Sequence, residues 1–162
     1  MIEPLIRQIV RAVGAVAALG LILVASIPAA AGEAVAYTRK GVAYEDVRAD
    51  LETAIINEGL KIDYVGNVAA MLQRTGADVG SDRPVYAKAE FFTFCSAKLS
   101  RAMMEADPAN MSQCPYVMFL YQRAAANEVV VGYRKVRVAG RGAKALTEVN
   151  KLLDKIARSA AR

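Results

Sequence analysis

The sequence predicts an α/β fold: a mixed four- or five-stranded sheet packed with amphipathic helices in one compact domain. Three observations predict it. Strand-like and helix-like segments alternate in the order strand, helix, strand, helix, strand, helix, strand, strand, helix. The 131 residues that follow the first 31 are enough for one domain, hiding about two thirds of their unfolded surface, and too few for two. That stretch contains no internal repeat and no low-complexity run.

Each element has a local reason. Ala34 to Thr38 is a short strand, turned by Arg39-Lys40-Gly41. Tyr44 to Glu58 carries Val47, Leu51, Ala54 and Ile55 at helical spacing, and Gly59 supplies the stop because it tolerates a left-handed backbone. Leu60 to Val65 alternates Lys61 and Asp63 against Ile62 and Tyr64, the pattern of a half-exposed strand. Asn67 caps a helix through Arg74, with Val68, Met71 and Leu72 expected to face inward. Gly76 to Pro84 reads as a loop. Val85 to Cys95, with Phe91, Phe92 and Phe94, is the strongest strand signal. Ser96 caps Ala97 to Ala106, which Asp107-Pro108 ends because proline biases its predecessor away from helix. Ala109 to Cys114 is loop, Tyr116 to Gln122 a strand, and Val129 to Val136 another. The short connection between these two strands predicts a hairpin. Gly132 marks a bulge or a close backbone approach. After Gly140-Arg141-Gly142, Ala143 to Ala157 is a helix striped by Leu146, Val149, Leu153 and Ile156.

The first 31 residues read as an export signal. Arg7 and Arg11 precede the uncharged run Ala12 to Ala31, which closes on Ala29-Ala30-Ala31. Residues 1–31 are therefore expected to be a signal peptide and 32–162 the folded domain. The alternative is an uncleaved anchor, since twenty residues at about 1.5 Å each just span a bilayer. Either way the domain is expected in the periplasm or otherwise outside the cytoplasm, touching membrane only through a retained leader.

Composition excludes several function classes. The chain holds 21 basic and 16 acidic side chains; without Glu3, Arg7 and Arg11 the balance is +4. A nucleic-acid binder needs a denser basic face and a recognisable module, so no nucleic-acid partner is expected. There is no histidine. That removes Ser-His-Asp and Cys-His nucleophiles, the usual histidine-containing zinc centres and Cys-x-x-Cys-His haem attachment. Asp63 and Glu90 beside the strands read as alternating surface residues.

Chemistry then rests on sulfur. Cys95 and Cys114 stand 19 positions apart. Outside the cytoplasm such a pair most often forms a disulfide. A simple parallel crossover would put the thiols at opposite edges of the sheet. A bridge, which needs Cα atoms within about 7 Å, therefore requires antiparallel strands or a helix folded back along the edge. The sharper reading is a reactive thiol, because Cys95 precedes the helix start at Ser96, where free N–H groups stabilise a thiolate. A third is copper. Met103, Met104 and Met111 lie between the cysteines, and thioethers and thiolates favour Cu(I). The same methionines also suit core filling.

The motifs Tyr37 to Gly41, Tyr44-Glu45-Asp46-Val47, Ala54-Ile55-Ile56, Gly59-Leu60, Ala89-Glu90-Phe91-Phe92, Phe94-Cys95-Ser96, Ala106-Asp107-Pro108 and Cys114-Pro115-Tyr116 together resemble the DUF302 family over Val35 to Ala157. The resemblance implies a compact α/β domain, often a homodimer, with no established catalytic residues and no assigned cofactor. It also implies a link to sulfur-compound or redox metabolism in some exported relatives. Cys95 matches the family's cysteine after the aromatic strand, whereas Cys114 falls where members vary. The expected function is an exported binding or accessory domain serving a small molecule or a redox protein. The alternative is a periplasmic thiol- or copper-dependent redox protein using Cys95 and Cys114.

Overall fold

Nine main elements form in the computed structural model, which describes residues 33–162: β1 (Ala34–Lys40), α1 (Tyr44–Asn57), β2 (Tyr64–Asn67), α2 (Val68–Thr75), β3 (Tyr86–Phe94), α3 (Ala97–Ala106), β4 (Tyr116–Arg123), β5 (Glu128–Arg134) and α4 (Ala143–Ala160). The expected signal peptide lies outside the described residues. Short 3₁₀ turns occupy Ala77–Val79 and Pro108–Gln113, both in segments expected to be loop.

The strands form one five-stranded sheet in the order β1-β5-β4-β3-β2. The α/β architecture with a five-stranded sheet is as expected. Its four pairings are all antiparallel, so the parallel neighbours of a mixed sheet do not occur among the described strands. β4 and β5 make the predicted hairpin, with Leu120 opposite Val131.

Alternation along the strands decides the layers. Phe92 and Phe94 on β3, Tyr116, Met118 and Leu120 on β4, and Val129, Val131 and Tyr133 on β5 all point to one side. There they meet Val47, Leu51 and Ile55 of α1, Met103 of α3, and Leu146, Val149, Leu153 and Ile156 of α4. Burying each of these large apolar side chains stabilises the fold by roughly 1.5–3 kcal/mol. α1 and α4 pack on each other, and α4 also contacts α3, β5 and β1. The opposite face carries Phe91, Thr93, Val117, Phe119 and Tyr121, which are only half-buried. Gly132 is the close approach expected of it: a Cβ there would sit 2.5 Å from the Phe119 ring and nearer still to the Val35 carbonyl oxygen.

Two local expectations need correction. The segment from Leu60 is not laddered until Tyr64; Leu60 and Ile62 instead pack against the core from an irregular stretch. α2 has its predicted cap, with the Ala70 N–H donating to Asn67 Oδ1 at 2.8 Å. Its apolar residues do not face a core, however: Met71 is 41% and Leu72 37% exposed, and no residue of α2 is buried. α2 follows an edge strand and packs beside β3, while the core face is already covered by α1, α3 and α4.

Candidate functional site

The two cysteines meet because β3 and β4 are antiparallel neighbours. Phe94, the last residue of β3, is opposite Tyr116, the first of β4. The chain between them runs out along α3 and back through the 3₁₀ turn Pro108–Gln113. Cys95 and Cys114 are thus left side by side, their Cα atoms 6.4 Å apart, and a disulfide joins them. The peptide bond from Cys114 to Pro115 is cis.

The surroundings of the bridge are asymmetric. Cys95 immediately precedes the N-cap of α3, where the Ser96 hydroxyl accepts from the Leu99 N–H at 3.4 Å. The first turn of α3 contains no acidic residue of its own, and the positive end of the helix lies beside Cys95. On the other side, Ser100 Oγ is 3.6 Å from Cys114 Sγ and 3.1 Å from the Tyr116 hydroxyl. Tyr116 is 1% exposed, and burial holds its phenol above the ordinary value. Its ring meets Phe94 edge-on with centroids 6.2 Å apart. Both cysteines are half-buried, reachable by solvent without belonging to it fully.

The copper candidates are scattered in burial. Met103 is fully buried in the core, Met104 packs against it from the side, and Met111 is 69% exposed on the 3₁₀ turn. The two sulfurs of Cys95 and Cys114 are bonded to each other. Among the described residues no group of three or more histidine, cysteine, aspartate or glutamate side chains is arranged to hold a metal ion.

A second feature was invisible in the sequence. A groove of about 810 Å³ lies between α1, α2 and β3. Its inner wall is an ionic network. Glu90 Oε2 accepts from Arg48 Nε at 2.7 Å and from the Tyr44 hydroxyl at 3.1 Å, and Arg48 also reaches Glu52 at 3.0 Å. Burial, with Glu90 adding to it, drives the Tyr44 phenol strongly upward. Lys88 pairs with Glu45 and sits 5.6 Å from the Tyr44 ring centroid. Glu90 is therefore no surface residue: its side chain is only 15% exposed. The available signal was parity, because Glu90 shares the inward register of Phe92 and Phe94. Asp63, by contrast, is exposed as expected.

The DUF302 family model, described as a domain of unknown function, matches residues 35–162. The chain belongs to the DUF302 family. Among solved structures, this DUF302 domain is similar to the crystal structure of an uncharacterized conserved DUF302 protein from Bacillus stearothermophilus. The two share 15% identity with a TM-score of 0.62, over 77% of this chain and 97% of that one. At that identity the likeness speaks to the fold. No curated protein matches. Both cysteines of the DUF302 domain fall inside the matched residues.

Proposed function

We propose that this DUF302 domain is a thiol–disulfide redox protein acting outside the cytoplasm, its Cys95–Cys114 bridge opening and closing during its work. One observation carries the reading: the bridge is half-buried and set between the N-terminus of α3 and the Ser100 hydroxyl. A helix N-terminus lowers the pKa of a neighbouring thiol, and a low pKa makes a better leaving thiolate. The apolar leader in the sequence supports an oxidising compartment. Copper is not part of the proposal, because Met103 serves the core and Met111 lies in solvent.

The test equilibrates native protein with dithiol buffers of graded potential, then counts free thiols by alkylation and mass. A reversible two-electron transition of the folded protein is expected. A bridge that yields only after denaturation would make it purely structural. Fractionation of the protein at native expression level is expected to find it outside the cytoplasm.

A second copy of the chain is the proposed partner. The sheet face opposite the helices supports this. Phe119 stacks on Tyr121 with centroids 6.2 Å apart, Tyr86 meets Tyr121 at 5.4 Å, and Tyr64, 60% exposed, meets Phe91 at 5.8 Å. Val117 and Thr93 continue the row, so two such faces meet without opposing like charges at their centres. Sedimentation is expected to show a dimer that Tyr64→Asp weakens; a wild-type monomer at high concentration removes the proposal.

A further inference from the structure

We infer that the groove between α1, α2 and β3 binds an uncharged molecule with an apolar body and one hydroxyl, an alcohol or a phenol. The groove is separate from the bridge. Glu90 lies four strand positions, roughly 13 Å, from Phe94, the residue before Cys95. A ligand held at Glu90 therefore has no part in the redox reading above, and neither depends on the other.

Packing leaves the space open. α2 packs against β3 rather than against α1. On the α2 side Ala69 and Ala70 line the groove, with side chains too short to fill it. Its volume of about 810 Å³ lies in the range of small-molecule sites. The rim is folded. The Val79 and Ser81 N–H groups both donate to the Gly76 carbonyl, at 3.2 and 2.9 Å, and the Ala124 N–H donates to the Val85 carbonyl at 3.2 Å. Leu72, Val79 and Val85 line the groove while 37%, 74% and 53% exposed. They supply apolar surface that an apolar ligand gains by covering.

The side chains decide the ligand's charge. Glu45, Asp82 and Glu90 line the groove, and so do Arg48, Arg83 and Lys88, so carboxylates and cations balance. Glu90 pairs with Arg48, and Glu45 with Lys88. A charged ligand of either sign would have to break a pair or meet a like charge. One valence is left over. Both donors that reach Glu90, Arg48 Nε and the Tyr44 hydroxyl, bond to Oε2. Among the described residues no donor reaches Oε1, and no buried side-chain oxygen lacks a partner, so Oε1 is open to solvent. The solvent space that Glu90 lines is the groove. An ionised carboxylate oxygen only accepts, so the ligand must donate. A hydroxyl is the neutral donor that makes the shortest bond to a carboxylate.

The test follows amide shifts of the oxidised protein by two-dimensional NMR at neutral pH. The probes are 4-propylphenol, its methyl ether 4-propylanisole, 4-propylbenzoate and 4-propylbenzylammonium. The phenol is expected to bind with shifts gathered at Gln73, Val85 and Glu90, and the ether to bind about tenfold more weakly for want of one hydrogen bond to a carboxylate. Both charged analogues are expected to bind more weakly than the phenol. Glu90→Gln exchanges a charged acceptor for a neutral one and is expected to cut the phenol's lead over the ether to about threefold. Ala70→Trp fills the groove from an exposed helix position and is expected to abolish phenol binding with circular dichroism unchanged. It decides the matter if the Glu90 variant does not fold. Equal affinity for phenol and ether, tighter binding of either charged analogue, shifts centred outside the groove, phenol binding that survives Ala70→Trp, or no binding at millimolar phenol would each overturn the inference.

Discussion

The Ser100 hydroxyl lies 3.6 Å from the sulfur of Cys114, and Tyr116 holds that hydroxyl from behind at 3.1 Å. Once the bridge is reduced, Ser100 can donate to a Cys114 thiolate. Ser100→Ala removes that donor. Alkylation of the reduced Cys114 is expected to move to higher pH, because its thiolate loses a hydrogen-bond donor. The pH dependence of its alkylation rate reads this directly. An unchanged profile would take Ser100 out of the site.

The bridge also constrains the unfolded chain across 19 residues. Replacing both cysteines by alanine is expected to cost about 3 kcal/mol. Urea unfolding of the double variant beside the oxidised parent measures it. A loss below about 1 kcal/mol would mean that chain entropy is not what the bridge contributes.

Glu90 gathers Arg48 and Tyr44 at the inner wall of the groove. Glu90→Gln keeps an acceptor for the tyrosine but leaves the half-buried guanidinium without its nearest carboxylate. A loss of about 1–3 kcal/mol is expected. In a double-mutant cycle with Arg48→Met, the two losses are expected not to add, because each single change orphans the other partner's charge and the double variant leaves neither charge in the pair.

Gly132→Ala drives a methyl into the Phe119 ring and the Val35 carbonyl oxygen. The expected cost is about 1–3 kcal/mol. Adding Phe119→Leu is expected to recover only part of it, since the carbonyl belongs to the β1 backbone and cannot swing away. Full rescue by the second substitution would show that the ring alone set the limit.

Asp154 ties α4 to the sheet. It accepts from the Tyr37 hydroxyl at 2.5 Å, from Arg158 at 2.7 Å and from the Tyr133 hydroxyl at 3.3 Å. The Tyr37 hydrogen bond, followed by those from Arg158 and Tyr133, holds the carboxyl below its ordinary value of 3.8 against an opposing effect of burial. A depressed carboxyl stabilises the fold fully above that ordinary value and loses its contribution as pH falls through the folded-state pKa. Tyr133 behaves oppositely. Burial first and Asp154 second push it up from 10.0 to about 12, so its contribution is intact below pH 10 and lost as pH rises through about 12. Melting temperature against pH is expected to fall at both ends. Tyr37→Phe is expected to lower it near neutrality and to differ less from the parent in acid. A constant difference across the acid limb would show that Asp154 is not the group responsible.

Local signals carried most of the fold. The caps at Asn67 and Ser96, the stop at Gly59 and the stripe of α4 each depend on residues within one or two turns of one another, and each was legible. Val85 to Cys95 and Tyr116 to Gln122 were legible as strands, while which of their side chains face the core came from the packing. α2 misled because amphipathic spacing records that a helix has an apolar side, not that a core is there to receive it. Glu90 misled because a carboxylate at the start of an aromatic run looks the same in sequence whether or not Arg48 waits across the layer.

The sequence by itself determined most of the helix and strand segments, that a chain without histidine leaves its two cysteines as the candidates for chemistry, and that the family is DUF302. Only the tertiary structure decided that β3 and β4 run antiparallel, and that direction is what brings Cys95 and Cys114 together. It also placed Ser100 against the sulfur of Cys114. The reason is range: periodicity and capping are set by neighbours along the chain, whereas strand direction and charge partners are set by packing between residues far apart in it.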